Sequence, residues 1–355
     1  MIKSISILYF ILSMTFLKAE IKALWVPIWE ITRPGKIDTL FQDIRYQNFN
    51  QLLVQVRYRG DAAYIPNKRN KAYPNEEVKY HGITDSDFDP LGYIIKEAKK
   101  RKIEVHAWFT TFIITGHDLT KLDSSHVYFL HPEWVTTNFS KESMKYHDDV
   151  GAFLDPGIPA VQEYTINVIL DVLSNYQLDG IHLDYIRYPA GYFGFNKLAM
   201  ETYKSEVKYQ DATSWIQWKN DQITRFVARI SMAAKEISPN VKISAAVFPS
   251  VSDALERYSQ DWKFWLEKDY IDAAYTMSYT KSTDRLESDL TFLSNFGLND
   301  KIVVGLRAWQ DGEHYAVGEV KDKIKLIRKM NFAGFSLFSY TGLKNEHYKK
   351  YLRIQ

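Results

Sequence analysis

The chain reads as an α/β protein folded into a single (β/α)8 barrel, the TIM barrel, and three observations predict it. From residue 20 onward, short β-rich apolar runs alternate with longer stretches of helical period. Eight such runs can be counted, which is the number that closes a parallel barrel. No glycine-rich phosphate turn follows any of them, which disfavours a doubly wound open sheet. The 355 residues are 46% hydrophobic, enough to bury one large core. No Pro/Gly-rich linker or internal repeat divides the chain, so residues 20–355 are expected to form one domain.

The strands are expected at Ile21–Ile28, Leu52–Arg57, Glu104–Phe109, Gly180–Ile186, Lys242–Phe248, Ala273–Tyr279, Ile302–Leu306 and Ala333–Phe338. Runs this short and this apolar fit strands buried on both faces of a parallel sheet. Between them, Leu91, Ile94, Ile95 and Ala98 share one helical face. Val161, Tyr164, Thr165, Val168, Ile169 and Val172 form a second, with Pro159 where a first helical turn tolerates it. Ile223, Phe226, Val227, Ile230, Ala234 and Ile237 form a third, and Val320, Ile324 and Ile327 a fourth. The longest irregular stretches, 58–88, 110–155 and 187–214, each follow a strand, on the face where barrel enzymes build their sites.

The N-terminus bears on compartment. Lys3 precedes an apolar run from Ile5 to Leu17, followed by Lys18-Ala19, the layout of a secretory signal peptide over residues 1–19. A periplasmic or secreted protein is therefore expected; an uncleaved N-terminal anchor is the alternative. No later segment is apolar enough to cross a membrane. The absence of cysteine excludes a lipidated cysteine, disulfides and thiolate metal sites within this sequence. Without Lys3 and Lys18 the chain carries 43 basic and 43 acidic residues, and no Lys/Arg stripe suggests a nucleic-acid partner. Nine Trp, 24 Tyr and 20 Phe are compatible with a cleft whose aromatic faces stack on sugar rings.

The most informative segment is Asp179-Gly-Ile-His-Leu-Asp184-Tyr-Ile-Arg187-Tyr188-Pro189. Strand alternation sends Ile181, Leu183 and Tyr185 one way and His182 and Asp184 the other, into the barrel or up at its mouth. An acid there is costly unless paired or functional. Asp184 is thus either a catalytic or substrate-gripping group or a buried partner of Arg187, and the first reading is preferred. Asp179 precedes the strand and is expected to cap or pair on the opposite rim.

With Phe153-Leu-Asp155-Pro-Gly-Ile-Pro159 ahead of it, this segment resembles the bacterial glycosyl-hydrolase-like family 10. The resemblance covers nearly all of residues 20–355. It includes Arg57, Gly60-Asp61-Ala62, Tyr64, Phe88-Asp-Pro-Leu91, His106-Ala-Trp-Phe109 and His131-Pro-Glu-Trp134. Further on it takes in Asp261-Trp262, Asp272, Met277 with Tyr279, and Gly334-Phe-Ser-Leu-Phe-Ser-Tyr340. It implies a (β/α)8 barrel, export, and hydrolysis of glycosidic bonds in a bacterial polysaccharide, with cell-wall glycan the leading candidate. The chain departs from the family where Thr110-Thr-Phe-Ile113 replaces a frequent Asn-Pro-Tyr-Arg, and where Tyr185 replaces the second acid of many members. The Asp179–Asp184 strand is also similar to the one that places the nucleophilic Asp in α-amylases. It partly resembles that of family 18 chitinases, which would instead make Asp184 a group orienting a substrate acetamide.

Glycoside hydrolysis normally needs two carboxyl groups. Asp61, just past the second strand, is the first choice as partner, with a loop-ordering role the alternative. Glu30, Asp155 and Glu313 are reserves, Asp155 being read first as a turn or capping residue. His106 and His182 are expected to share the barrel mouth and to bond sugar hydroxyls or Asp184. No metal is expected, since no His-x-His or His-Glu-x-x-His spacing is present, and no cofactor is called for. Arg57 and Arg187 are candidates to hold a carboxylate or keep Asp184 ionised, and Trp25, Trp29, Trp108 and Tyr279 are candidate stacking platforms. His106, Arg57 and Tyr279 are expected to line the subsite of the cleaved sugar. The alternatives to an enzyme of this class are a catalytically silent carbohydrate-binding barrel and a metal-dependent hydrolase of amide or ester bonds on sugars.

Overall fold

A computed structural model of the chain describes residues 19–190, 192–308, 317–344 and 352–354. Most of the leader-like segment therefore lies outside the described residues, as does Glu313. The eight expected runs are all strands: β1 (Ile21–Val26), β2 (Gln51–Tyr58), β3 (Glu104–Thr110), β4 (Gly180–Asp184), β5 (Lys242–Val247), β6 (Ala273–Met277), β7 (Ile302–Arg307) and β8 (Gly334–Phe338). Every neighbouring pair is parallel, and β1 pairs with both β2 and β8, so the sheet closes on itself. The stretch 58–88, read as irregular, holds two further two-residue strands. Asp61–Ala62 folds back antiparallel on the end of β2, and Val78–Lys79 pairs with it in parallel.

Each of the four helical faces read from the sequence period lies on a helix, and the structure adds others, the first of them α1 (Pro34–Ile44). Helix α1 and helix α2 (Pro90–Lys99) both begin with proline, whose missing N–H is not needed in a first turn. Asp89 caps α2 by accepting from Gly92 N–H at 3.0 Å. Helix α3 (Pro159–Asn175) starts at Pro159, and the 26-residue α4 (Ala212–Ile237) opens with an Asp211/Ser214 capping box. Their apolar faces are buried against the outside of the barrel: Leu91, Ile94 and Ala98, then Val161, Val168 and Val172, then Ile223, Phe226 and Ile230. Among the described residues no helix is long and apolar enough to cross a membrane.

The barrel interior has a separate, partly polar packing. Trp25 lies edge-on to Trp108 at 4.7 Å and to His182 at 4.6 Å, and His182 lies edge-on to Tyr275 at 4.9 Å. Trp25 Nε1 donates to Ser336 Oγ at 3.1 Å, and His182 Nδ1 shares a 2.8 Å hydrogen bond with Ser244 Oγ. One layer lower, Tyr275 donates to Gln51 Oε1, while Gln51 Nε2 donates to Glu104 at 3.0 Å and lies 2.9 Å from His106 Nε2. The interior is thus filled with rings rather than left as a pore, and most of their polar edges find partners, His106 Nδ1 and His182 Nε2 being the buried exceptions.

Gly180 is what makes room for the lower layer. It pairs in register with His106, and a Cβ there would overlap the His106 imidazole. Gly180→Ala should therefore destabilise the fold by about 1–3 kcal/mol, the usual range for overpacking a filled core. Urea unfolding would show it as a lower midpoint at unchanged slope. A midpoint equal to that of the parent chain would mean that the lower layer is looser than its packing indicates.

Candidate active site

Alternation along β4 turns Gly180, His182 and Asp184 inward, and Asp184 is the last of them, at the C-terminal end of the strand. The residue opposite it on β3 is Thr110. Trp108 Nε1–H donates to Asp184 Oδ2 at 3.0 Å, and the Tyr185 backbone N–H donates to Oδ1 at 2.8 Å. Tyr185 has φ of 51°, a left-handed conformation that turns the chain sharply out of the strand. Asp184 keeps 9% of its surface exposed. Burial pushes its carboxyl up to about 6, against the two N–H donors and the charges of Arg187 and Arg59. A carboxyl so placed changes charge within reach of neutral pH, as catalytic acids and nucleophiles do.

The second carboxyl stands on the hairpin that follows β2. Arg59 (φ 58°) and Gly60 (φ 90°) are both left-handed, and they reverse the chain so that Asp61 pairs across from Tyr58. The turn is held from outside. Arg59 N–H donates to Thr110 Oγ1 at 2.7 Å, and its carbonyl accepts from His126 Nε2–H at 2.9 Å. Any Cβ at position 60 would strike the His126 ring, so glycine is required there. Asp61 is only 4% exposed, with His126 Nε2 3.9 Å from its carboxyl. Burial, helped by the negative charges of Glu77 and Asp123 and opposed by Arg57, pushes its carboxyl up to about 8. Asp61 lines a recess of about 220 Å³ together with Trp29, Tyr58, Arg59, Tyr80, His81 and the 116–122 segment.

The other expected site residues separate into two groups. Trp108, Arg187 and Tyr279 lie by Asp184. Trp108 is its hydrogen-bond donor, and Arg187, buried among the rings of Phe153, Tyr185, Phe248 and Tyr258, sends its charge toward the carboxyl. Tyr279 is electrostatically coupled to Asp184 and tilts against Phe338 at 5.5 Å. Arg57, His106 and His182 do not line the mouth. His106 is in register with Gly180, two positions below Trp108, so it sits toward the N-terminal end of the barrel. His182 is fully buried in the middle layer, and burial holds it well below the usual imidazole range, as a neutral core histidine. The expectation that the two histidines share the mouth is thus corrected.

Arg57 is also redirected. A register shift between Gln55 and Arg57 puts it opposite Phe109 on the outer face of β2. There it pairs with Glu77 at 2.6 Å and donates to the carbonyls of Thr110 and Thr111, wholly buried. Trp25 belongs to the interior packing, whereas Trp29 is 40% exposed at the rim. Asp155 is buried and accepts from Gly157 N–H at 3.0 Å and Thr136 Oγ1 at 2.8 Å, a turn-forming role. Glu30 is taken up by Thr341 and Lys344. Asp179 accepts from Val105 N–H at 2.8 Å on the opposite rim. Arg59, Tyr58, Tyr80 and His126 are additions that the sequence reading missed. A charged residue at the C-terminal end of a barrel strand was the available signal for Arg59. Among the described residues no group of three or more His, Asp or Glu is placed to hold a metal ion.

The chain matches the family described as Glycosyl hydrolase-like 10 over residues 20–318. It is 28% identical over 250 residues to the glycosyl hydrolase YngK of Bacillus subtilis, covering 64% of this chain and 45% of that protein. With the glycosyl hydrolase DigH of Escherichia coli it shares 28% identity over 231 residues, 61% of this chain and 48% of that one. It thus spans about half the length of these relatives. Among solved structures, the glycoside hydrolase domain of PgaB (BpsB) from Bordetella bronchiseptica superposes with a TM-score of 0.72 at 11% identity, covering 94% of this chain and 98% of that domain. The catalytic domain of a β-amylase from Paenibacillus polymyxa does so with a TM-score of 0.61 at 11% identity, over 93% and 94% of the two chains. At such identity these two likenesses concern the fold.

The buried Arg57–Glu77 pair yields a stability prediction. Arg57→Met alone strands the Glu77 carboxylate and should cost about 3–5 kcal/mol. The double variant Arg57→Met/Glu77→Gln should cost less than that single change. Denaturant midpoints of the four proteins in the cycle decide the matter, and additive losses would show that the pair is not coupled.

Proposed function

The chain belongs to the glycosyl hydrolase-like 10 family, and from that premise we propose that it is an exported glycoside hydrolase. Its substrate is an O-glycosidic bond in a bacterial polysaccharide, with peptidoglycan glycan strands the leading candidate. The leader-like residues 1–19 support action outside the cytoplasm. The observation that carries the reading is the Asp184 carboxyl, buried at the barrel mouth, held by two N–H donors and tuned to about 6.

The division of labour follows from the two environments. Hydrolysis needs one carboxyl group to protonate the leaving oxygen and an anion to attack or stabilise the anomeric carbon, directly or through water. Above about 6 Asp184 is ionised, and its orientation by Trp108 and Tyr185 fits the anion. Below about 8 Asp61 keeps its proton, which fits the acid. Arg187 and Tyr279 flank Asp184, the first favouring its charged form by its own charge. One different reading has an observation in its favour. Tyr185 stands where many family members carry a second acid, so a barrel that binds glycan without cleaving it is the alternative.

Two measurements test the proposal. The first is reducing-end release from peptidoglycan, with and without stem peptides, and from neutral polysaccharides. Asp184→Asn should lower it by at least about 10²–10⁴-fold with folding intact; retention of more than about a tenth of the parent rate would sink the assignment. Binding without any release favours the silent barrel. The second is the pH profile. Rate should rise as pH climbs through about 6, where Asp184 ionises, and fall beyond about 8, where Asp61 loses its proton. Asp61→Asn should remove the alkaline limb, and it should harm aryl glycosides with good leaving groups much less than natural glycan. An alkaline limb that survives in Asp61→Asn would remove Asp61 from the acid role.

A further inference from the structure

The recess beside Asp61 is built for more than a neutral sugar. Its volume of about 220 Å³ is below the ~300–1,000 Å³ of pockets that enclose drug-sized ligands, and so is sized for a single ring. Trp29, Tyr58 and Tyr80 form a continuous aromatic wall, with neighbouring rings edge-on at 5.9 and 6.1 Å. Such faces suit the C–H side of a pyranose. The polar side of the recess carries Arg59, His81, His117 and Lys121 alongside Asp61 and Asp118.

Their partners distinguish these four basic side chains. Lys121 has the Asp118 carboxylate at 3.3 Å. Burial and the Lys121 charge lower the His81 pKa, which favours its neutral form. His117 is directed at the Asp149 carbonyl at 3.0 Å. Arg59 differs from all of them. Its Nη1 donates to the Thr115 carbonyl at 2.6 Å and its Cζ lies 5.1 Å from the centre of the Tyr58 ring. Among the described residues no carboxylate lies within ion-pair distance of its guanidinium. Its backbone is nevertheless fixed in a left-handed conformation by Thr110 and His126. A part-buried guanidinium on a fixed backbone, with no carboxylate of the described residues within ion-pair distance, is arranged to meet an anion that arrives from solution. Its charge also acts on Asp184.

We propose that this recess is a subsite for a sugar unit bearing a carboxylate, with the aromatic wall holding the ring and Arg59 pairing with the carboxylate. The assignment rests on the glycoside hydrolase reading above and adds the substrate class it selects. Asp61, on the same wall, keeps its proton below about 8 and so does not repel the incoming anion near neutral pH.

The test uses peptidoglycan glycan strands freed of stem peptides, whose lactyl groups carry carboxylates, and the same strands after carbodiimide–borohydride reduction of those groups to alcohols. Wild type should cleave the carboxylated strand with kcat/KM about tenfold or more above the reduced one, the worth of a charged hydrogen-bonded pair. Arg59→Gln should bring that ratio close to one, and Arg59→Lys should keep part of it, since an ammonium retains the charge but not the fork. A ratio near one in wild type, or a preference that survives Arg59→Gln in a folded protein, overturns the subsite. If neither strand is cleaved, the hydrolase reading fails on its own. Calorimetric binding of the two strands to wild type and Arg59→Gln then still decides the inference: tighter binding of the carboxylated strand, lost in the variant, supports it, and equal or absent binding overturns it.

Discussion

Closing eight parallel strands into a barrel forces alternate residues of every strand into a space with little water, and the mouth of this protein is organised around one carboxyl caught in that constraint. Asp184 cannot leave the interior face of β4 without reversing Gly180 and His182 as well. Its charge must be supported where it stands. The Trp108 indole comes from the adjacent strand at the right height because Trp108 faces inward one step below Thr110, the residue opposite Asp184. The Tyr185 amide is available because the chain turns immediately after the strand. Two donors and two guanidiniums beyond ion-pair distance reduce the cost of burial without cancelling it, and the carboxyl is left poised near 6. The layers beneath are closely packed rings, so the Trp108 donor has little room to move.

The same balance has a different outcome at Asp61. Here the nearby Arg57 is already committed to Glu77, so what reaches Asp61 is the remainder of a nearly neutral pair. Burial and the Glu77 charge then dominate, and the proton is held more tightly than at Asp184. Two carboxyls with different proton affinities follow from their partners: two N–H donors and two guanidinium charges at Asp184, against the Glu77 charge and an already paired Arg57 at Asp61. Arg187 has none within ion-pair distance among the described residues; Arg57 has Glu77.

Much of this was legible in the sequence because it depends on local period. All eight strands were found, parity put Asp184 on the inner face, and its place before the strand put Asp179 at the opposite rim. What parity lacks is height. His106 and His182 both face the interior, but only the register of β3 against β4 shows that one belongs to the lower layer and the other to the middle. Parity also fails at a bulge. Gln51, Leu53 and Gln55 face inward, so continued alternation would have sent Arg57 into the barrel; the register shift after Gln55 sends it out to Glu77. Glu77 and His126 are distant in sequence from the residues they support, and nothing in their own segments announces the partner. The aromatic recess was missed for the same reason, since Trp29, Tyr58 and Tyr80 come together only when the loop after β2 folds back.

Two strand ends carry left-handed residues with side chains, Arg59 after β2 and Tyr185 after β4. Such conformations cost free energy and persist where surrounding contacts over-determine them. At Tyr185 the compensation is the amide that binds Asp184, and at Arg59 it is the pair of bonds from Thr110 and His126. The strain thus falls on the residue that follows one carboxyl and on the turn that delivers the other. On the proposed hydrolase reading, a chain with a tyrosine rather than an acid at 185 draws its second carboxyl from another strand. The hairpin after β2 is the place where the backbone is held firmly enough to present one, and the strained turn at Arg59 and Gly60 is what that presentation costs.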